Sequence, residues 1–350
     1  MKKLTALILS LALAASMLAG CGSSGSPSSG ASSASLPASS AAASSSAPEK
    51  APVEPADIRI AGLKGPTSMG MVKLMEDAEN GGAANNYTFT IAGSADEVTP
   101  KLIQGEFDIA AVPANLASVL YNNTEGAVKL LAVNTLGVIY IVEKGDSVQS
   151  LADLKGKTIY ATGKGSTPEY ALNYILSENG IDPAADLTVE WKTEPTEVVQ
   201  LLAQSENAVA MLPQPYVTVA QTQVEGLRVA VDLNQAWSSL DNGSLFLTGV
   251  LVVRADFAEQ YPDQLAAFLQ EYQASTEWVN ANVPEAAQLV EKFDIVKAAV
   301  AEKAIPYCNI TYLAGDEMKA AMAGYLQVLF DQNEKSVGGK LPGDDFYYAV

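Results

Sequence analysis

Short apolar runs alternate along the chain with longer stretches in which apolar residues recur every three or four positions. The first pattern predicts strands and the second predicts helices, so we expect an α/β protein. Strands are predicted at 58–63, 87–92, 108–112, 129–134, 138–142, 158–161, 187–191, 208–212, 227–232 and 246–253. Helices are predicted around 69–79, 96–104, 115–121, 168–179, 196–204 and 216–223, and over most of 257–332.

A weak internal repeat links two parts of the chain. The segment 58–126 returns in register at 158–226, with about a quarter of the positions identical. Matching motifs include Lys64-Gly65-x-Thr67 with Lys164-Gly165-x-Thr167, Glu97-Val98 with Glu197-Val198, and Ala110-x-x-Pro113 with Ala210-x-x-Pro213. Two similar α/β lobes leave a cleft between them in which a small ligand can bind. Crossing strands near 135–142 and 245–252 predict a two-segment hinge.

The beginning of the chain has the pattern of an exported lipoprotein. A basic start precedes an apolar run over 4–19 and the motif Leu18-Ala19-Gly20-Cys21. This order is typical of a bacterial signal peptide with a lipobox, and the run is too short for a membrane span. We therefore predict a signal peptide at 1–20, lipidation of Cys21, and an extracytoplasmic protein anchored to the outer face of the cell membrane.

Residues 22–55 consist almost entirely of Ser, Ala, Gly and Pro, which predicts a disordered, flexible tether over 21–56. The remaining chain is long enough for two lobes with cores of their own. Lobe 1 is assigned to 57–136 and 246–350, and lobe 2 to 137–245. The predicted fold class is thus α/β, with two lobes joined by a two-segment hinge.

Composition excludes several kinds of chemistry. The formal net charge of −19 argues against nucleic acid as a partner. The chain contains no histidine, so Ser-His-Asp and Cys-His catalysis are excluded and a zinc site is not expected. If Cys21 carries lipid, Cys308 is unpaired and no intramolecular disulfide forms. We predict no catalytic residue, no cofactor and no metal.

Candidate ligand contacts follow from the rule that open α/β sheets bind ligands at the carboxyl ends of their strands. The loops at those ends and the two crossings contain Gly65, Thr67, Ser68, Ser94, Asn115, Asn134, Gly165, Ser166, Thr167, Gln214, Tyr216 and Thr248. Ser166-x-x-Glu169 predicts a capping box, and the N–H groups of such a helix start favour an anion. Gln214 and Tyr216 could orient the rest of a polar ligand.

These candidates also have structural alternatives. Serine, threonine and asparagine commonly cap helices, and glycine is common in turns. The side chains of Lys64, Lys164 and Glu194 could pair with a charged ligand or remain solvated. Trp237 is expected in the core, and the spacing of Met69 from later apolar residues is typical of a core-facing helix.

Three stretches carry a resemblance to a known family. They are Lys101-Leu-Ile-Gln-Gly-Glu-Phe-Asp-Ile-Ala-Ala-Val-Pro-Ala-Asn115, Ser150-Leu-Ala-Asp-Leu-Lys-Gly-Lys-Thr-Ile159, and Gly-Lys-Gly-Ser-Thr-Pro-Glu at 163–169. With the lipobox, they resemble ABC-transporter solute-binding proteins of the nitrate/sulfonate/taurine type over about 57–345. The resemblance implies a type II Venus-flytrap fold. It also implies ligand loops at 65–69, 93–94, 113–115, 163–168 and 213–216, which adds Met69 to the candidates.

The resemblance further implies a monomeric, non-enzymatic receptor that delivers a small solute to an ABC permease and its ATPase. A small anionic organic solute, sulfonate- or taurine-like, is the first hypothesis. A pyrimidine, a thiamine precursor or an aromatic solute remains an alternative, although the Cys-rich motif of pyrimidine-synthase relatives is missing. An exported enzyme on the same fold and a tethered surface adhesin or sensor also remain open.

Overall fold

The structure is a computed structural model, and it describes residues 54–349. The predicted signal peptide, the predicted lipidation site Cys21 and the predicted tether up to residue 53 lie outside the described residues. Within 54–349, no helix has both the length and the apolar character needed to cross a membrane.

Strands and helices alternate through the first two thirds of the described chain. The elements begin with β1 (Asp57–Leu63), α1 (Pro66–Met69), α2 (Val72–Glu79), β2 (Asn86–Ala92), α3 (Ala95–Ile103), β3 (Ile109–Pro113), α4 (Ala114–Asn123) and β4 (Val128–Leu136). They continue with β5 (Ile139–Lys144), β6 (Thr158–Thr162), α5 (Thr167–Glu178), β7 (Thr188–Lys192), α6 (Pro195–Gln204), β8 (Val209–Pro213), α7 (Tyr216–Gln223) and β9 (Leu227–Asp232).

Helices dominate the remainder of the chain. The elements here are α8 (Leu233–Ser238), β10 (Leu247–Arg254), α9 (Ala255–Gln260), α10 (Pro262–Ala281), α11 (Val283–Lys292), α12 (Ala298–Ala304), β11 (Ile310–Leu313) and α13 (Gly315–Gln332). Short 3-10 turns lie at Leu151–Leu154, Ile305–Tyr307, Glu334–Val337 and Asp344–Phe346.

The strands form two mixed sheets with the same pattern. The six-stranded sheet has the order β11-β4-β10-β3-β1-β2, and the five-stranded sheet has the order β7-β6-β8-β5-β9. In the first, β1 pairs in parallel with β2 and β3, and β10 is antiparallel to β3. In the second, β6 pairs in parallel with β7 and β8, and β5 is antiparallel to β8. The predicted α/β fold class is confirmed, and the shared pattern matches the sequence repeat.

The two sheets draw their strands from different parts of the chain. The six-stranded sheet uses strands from 57–136 and 247–313, and the five-stranded sheet uses strands from 139–232. The chain passes between the sheets at 137–138 and again at 233–246. These passages lie close to the crossings that the apolar pattern predicts.

One hydrophobic core extends through both sheets. It contains Val112 and Leu130 of the first sheet, Ile141 of the second, and Leu172 of α5, all of them fully buried. A second core lies between the other face of the six-stranded sheet and α2, α10, α11 and α12. A third lies under α6 and α7 on the five-stranded sheet. Because the first core is continuous, packing does not mark where one lobe ends, and the lobe limits stay a prediction.

The secondary structure differs from the prediction at three places. The helix predicted over 69–79 is broken at Gly70 into α1 and α2. The helix α8 and the strand β11 have no counterpart in the prediction. The strand β11 is a four-residue edge strand that pairs with β4 through Ile310 and Leu313. A run of that length inside a helix-rich region has no periodicity that separates a strand from a helix.

A buried carboxylate anchors the loop that follows β5. Glu143 is fully buried and accepts hydrogen bonds from the N–H groups of Ser147 at 2.8 Å and Val148 at 3.1 Å. Its Oε2 also lies 2.6 Å from Nη2 of Arg228. Burial alone would raise the pKa of Glu143, but a hydrogen bond from the Ser147 hydroxyl, the two N–H hydrogen bonds and the Arg228 charge together lower it below its ordinary value.

The Glu143→Gln variant is expected to lose about 2 kcal/mol of folding free energy at pH 7, because hydrogen bonds to a buried charge are lost. A lowered folded-state pKa stabilises the protein above the unfolded-state value of about 4.3, and this stabilisation disappears as pH falls through the lower folded-state value. Chemical denaturation of both proteins from pH 7 to pH 3 should therefore show the difference shrinking below about pH 5.

Glu206→Gln is the matched control, because Glu206 pairs with Lys144 at 2.7 Å on the surface of the same sheet. Its side chain is 83% exposed, so its loss should cost under about 1 kcal/mol. A Glu143 effect that is equally small, or that does not change with pH, would contradict the assignment.

Candidate functional site

A cavity of about 370 Å³ lies where the carboxyl ends of the parallel strands in the two sheets meet. The loops after β1, β2, β3, β6, β7 and β8 form its wall, together with residues of the passages between the sheets. This volume is typical of a small-molecule site. Of the sequence-predicted contacts, the wall contains Gly65, Thr67, Ser94, Gly165, Ser166, Thr167, Gln214, Tyr216 and Thr248.

Two glycines allow α1 to lie directly on the first sheet. A Cβ added to Gly62 of β1 would lie 2.2 Å from Ser68 Oγ. A Cβ added to Gly249 of β10 would lie 2.6 Å from Thr67 Cγ2 and 2.6 Å from Asn134 Oδ1. Because neither position has a side chain, α1 can lie close to the first sheet, and this close approach determines where Thr67 lies in the cavity wall.

The start of α5 differs from the predicted capping box. Ser166 Oγ donates to the carbonyl of Gly163 at 2.8 Å instead of capping the helix. The Glu169 carboxylate accepts from the N–H of Gly165 at 2.5 Å. The capping box predicted for Ser166 and Glu169 is therefore wrong, although Pro168 does lie in the first turn as expected. Gly163 and Gly165 have φ values of 87° and 73°, which only glycine adopts without strain.

The helix starts after β2 and β7, which are equivalent to each other in the repeat, carry carboxylates. At α3, the Glu97 carboxylate accepts from the N–H groups of Gly93 at 3.2 Å and Ser94 at 3.1 Å, which is a capping box that the sequence analysis missed. At α6, the exposed Glu194 precedes Pro195 of the first turn. A Cβ added to Gly93 would lie 3.1 Å from Glu194 and 3.2 Å from Glu97, so the two carboxylates approach the same point.

The second sheet contributes an amide and a phenol to the wall. Gln214 Oε1 accepts from Thr218 Oγ1 at 3.0 Å, which leaves the amide nitrogen as its available donor. Tyr216 is buried, and burial followed by the Glu194 charge raises the pKa of its phenol. The Tyr216 hydroxyl therefore keeps its proton at neutral pH and can donate it to a bound group.

Four predicted contacts lie behind the wall instead of on it. Ser68 is buried against Gly62, and Met69 lies in the second core with its sulfur 3.9 Å from Cys308 Sγ. Asn115 is buried and donates from Nδ2 to the carbonyl of Ser336 at 2.9 Å. Asn134 is buried too, and its Oδ1 accepts from Thr135 Oγ1 at 3.0 Å. All four face neighbouring elements that enclose them. Trp237 is fully buried, as expected.

A sequence profile of the NMT1-like family matches residues 78–293. The chain belongs to this family. No curated protein matches it. The structure is similar to an ABC transporter protein of Parabacteroides distasonis, with 25% identity and a TM-score of 0.69 over 83% of this chain and 98% of that one.

Two further solved structures have the same fold at lower identity. The periplasmic aliphatic sulphonate-binding protein of Escherichia coli has 18% identity and a TM-score of 0.65, over 81% of this chain and 94% of that one. The periplasmic nitrate-binding protein of Synechocystis has 15% identity and a TM-score of 0.56, over 71% and 70%. The resemblance to binding proteins of the nitrate/sulfonate/taurine type is thus confirmed for family and fold.

The wall of this family member also contains residues that the sequence analysis did not single out. They include Asp96, Leu116, Val138, Ile139, Thr162 and Lys192. Thr162 and Lys192 are the last residues of β6 and β7. The rule that ligands lie at the carboxyl ends of strands would have found both, had it been applied to the strand ends as well as to the loops.

Positive charge exceeds negative charge on the wall, although the whole chain is acidic. Three lysines, Lys64, Lys164 and Lys192, line the cavity together with Asp96. The ammonium groups of Lys64 and Lys192 lie 3.3 Å from Asp294 and 3.1 Å from Glu190. Lys164 is exposed and forms no ion pair with any residue of 54–349.

Five hydroxyl groups of the wall already donate to protein acceptors. The pairs are Thr67 with Leu63 O, Ser94 with Glu97, Ser166 with Gly163 O, Thr167 with Asn115 Oδ1, and Thr248 with Leu136 O. Each hydroxyl has one proton, so in this arrangement none of the five can donate to a solute. Donors for an anion therefore come from first-turn N–H groups, the lysines, the Tyr216 hydroxyl and the Gln214 amide. Among the described residues, no group of acidic or cysteine side chains could hold a metal ion.

The Gly249→Ala variant is expected to displace Thr67 and α1 towards the cavity, because the new methyl group would overlap Thr67 and Asn134. Overpacking of this kind should cost about 1–3 kcal/mol of folding free energy. A crystal structure of the variant and its denaturation curve would measure both effects.

Gly82→Ala is the control, because a Cβ at Gly82 would meet its nearest atom, the carbonyl oxygen of Asp77, at an ordinary 3.5 Å. If Gly249→Ala leaves both the position of α1 and the stability unchanged, the absence of a side chain at Gly249 does not determine where Thr67 lies.

Proposed function

We propose that this protein is the extracytoplasmic solute-binding component of an ABC importer, and that its two lobes close on a small anionic organic solute. The observation that carries the proposal is the cavity at the carboxyl edges of both sheets, where α3, α5 and α6 begin. The names of the sulphonate-binding and nitrate-binding structural neighbours support the same class of protein.

The preference for an anion rests on local charge and on unpaired donors. The formal net charge of the chain is −19, which by itself would repel an anion. Among the residues that line the wall, three lysines outnumber the one carboxylate of Asp96, although Lys64 and Lys192 are paired with Asp294 and Glu190. The first N–H groups of a helix have no intrahelical acceptor and attract negative charge. A sulfonate or carboxylate group accepts several hydrogen bonds at once, so it fits this set of donors.

The preference for an organic solute rests on the size and apolar surface of the cavity. About 370 Å³ is more than a bare oxyanion occupies. Leu116, Val138, Ile139 and several prolines contribute apolar surface beside the donors. A solute with an anionic head and a short carbon chain or ring would use both parts. We assign the head to the helix starts at Thr67 and at Ser166 and Thr167, through backbone N–H groups rather than hydroxyls, and the remainder to Gln214 and Tyr216.

A solute that contacts loops of both sheets would couple its binding to closure of the two lobes. A ligand shifts a conformational equilibrium only by its difference in affinity for the two states. A solute held by the loops after β1 and β6 makes its full set of contacts only when the lobes are closed. Binding therefore needs no covalent step, and the solute should be released unchanged.

The anion class can be tested with two isosteric probes. Isothermal titration should give micromolar or tighter binding for ethanesulfonate, and at least tenfold weaker binding for the neutral ethanesulfonamide. Because the ligand binds the native state, saturating ethanesulfonate should also raise the unfolding midpoint. Equal binding of the two probes, or binding of uracil or benzamide instead, would replace the anion by a neutral heterocyclic or aromatic solute.

Lys164 tests the contribution of wall charge within the same titration. Lys164→Gln should weaken ethanesulfonate binding about two- to fivefold, the modest effect of an exposed charge. Lys340→Gln is the matched control, since Lys340 is equally exposed and does not line the cavity. Identical affinities in the two variants would remove Lys164 from the site.

We also propose, from the amino-terminal sequence pattern, that the protein is anchored by lipid on Cys21. The motif Leu18-Ala19-Gly20-Cys21 lies outside the described residues, so the proposal rests on the sequence. The wild-type protein should fractionate with membranes and incorporate labelled palmitate in a bacterial host. The Cys21→Ser variant should lose the label; equal labelling of both proteins would contradict lipidation at this residue.

A further inference from the structure

The helix α5 begins at the cavity and also contacts elements outside its own sheet. Its neighbours include α4, α8, α13 and β10. Its buried residues Ala171, Leu172, Ile175 and Leu176 all belong to the core that runs through both sheets. The position of the α5 start therefore depends on how these neighbours hold it.

The Thr167 hydroxyl is the polar centre of this contact, and its hydrogen-bonding capacity is fully used. It donates to Asn115 Oδ1 at 3.3 Å and accepts from the N–H of Asn115 at 3.4 Å. It also accepts from the hydroxyl of Tyr325 at 3.2 Å. One donor and two acceptor positions complete a hydroxyl group. Thr167 therefore has no hydroxyl function left for a solute, and what it can offer the cavity is its backbone N–H.

Tyr325 brings the carboxyl-terminal helix α13 into this group. Its side chain is fully buried, with its ring centroid 5.6 Å from that of Trp237. Trp237 in turn stacks on Phe246 with centroids 5.1 Å apart. Burial raises the pKa of Tyr325, so its hydroxyl stays protonated and remains a donor to Thr167. The aromatic packing fixes the ring, and the ring fixes the direction of this hydrogen bond.

Asn115 is fixed from the opposite side. Its Nδ2 donates to the carbonyl of Ser336 at 2.9 Å, and Ser118 Oγ, one turn further along α4, donates to the carbonyl of Val337 at 2.8 Å. The segment after α13 thus holds α4, and α13 itself holds Thr167. All the polar atoms of this group are buried, where an unpaired donor or acceptor would be costly.

We propose that Tyr325 is a positioning residue for the solute site. Through its hydrogen bond to Thr167, it fixes the first turn of α5, and with it the backbone N–H of Thr167 that is offered to the anion, against α4 and the first sheet. This inference rests on the proposed function for its effect on affinity. Its effect on the first turn of α5 does not depend on any solute.

The Tyr325→Phe variant keeps the ring and removes only the donor. Amide hydrogen exchange of Glu169–Leu172 in the solute-free protein should become about three- to tenfold faster, because one buried hydrogen bond is lost. The affinity for ethanesulfonate should fall by a similar factor, although the Tyr325 side chain does not line the cavity.

Tyr272→Phe is the matched control. Tyr272 is equally buried, lies in the second core, and has a hydroxyl without a well-formed hydrogen bond within the described residues. This variant should leave both the exchange of Glu169–Leu172 and the affinity unchanged. If Tyr325→Phe and Tyr272→Phe lower the melting temperature alike but change neither of these quantities, Tyr325 has only a packing role.

A double-mutant cycle tests whether Tyr325 acts through Thr167. In the Thr167→Val background, Tyr325→Phe should change exchange and affinity less than twofold, because the acceptor is already gone. Thr167→Ser keeps the hydroxyl and should retain most of the wild-type behaviour. Additive effects of the two substitutions would overturn the proposal. If wild-type protein binds no ethanesulfonate, the proposed function fails, while the exchange experiment still decides whether the hydrogen bond fixes α5.

Discussion

The first N–H groups of an α-helix have no acceptor inside the helix, and the candidate site depends on this constraint. In this protein α3, α5 and α6 each follow a parallel strand, so strand direction brings their starts to the edge that lines one cavity. A buried donor left without a partner costs about 1–3 kcal/mol. The cavity must therefore be filled by water or by a solute that accepts hydrogen bonds. The excess of lysine on the wall favours a solute that is also negatively charged.

The continuous core limits how such a cavity could open. Residues of both sheets and of α5, α8 and α13 pack together on one side of the site. That side lies beside the passages at 137–138 and 233–246. If one sheet rotates relative to the other about these passages, atoms close to them move least. The other side carries Glu97 and Glu194, which approach the same point near Gly93. Two like charges there oppose a tighter approach, so an anion held deeper in the cavity would have to supply the closing free energy through its own contacts.

The sequence could predict every strand except β11, because each of the others is an apolar or alternating run of at least five residues. It could also predict the equivalence of the loops at Thr67 and Thr167, because the repeat aligns them. It could not predict which side chains on these loops face the cavity. Ser166 and Ser94 both precede a helix, yet the predicted capping box at Ser166 is absent and an unpredicted one is present at Ser94. The choice depends on which carbonyl or carboxylate the tertiary fold brings within reach.

Asn115 is a second residue whose hydrogen-bond partner could not be predicted from the neighbouring sequence. Because it follows β3, Asn115 is a reasonable candidate for a ligand contact. In the structure its amide instead donates to the carbonyl of Ser336, more than two hundred residues later in the chain. The repeat does not extend to α13, so no comparison of the two halves could reveal that partner. The repeated positions also lose their symmetry here, because the counterpart of Asn115 is Pro215. The repeated strand–helix pattern thus gives each half helix-start N–H groups at the cavity. The residues after the third strands differ: Asn115 holds α4 in place in one half, and Gln214 and Tyr216 line the wall in the other. Discrimination among anionic solutes is therefore expected to come from the side of the five-stranded sheet, where Gln214 and Tyr216 line the cavity.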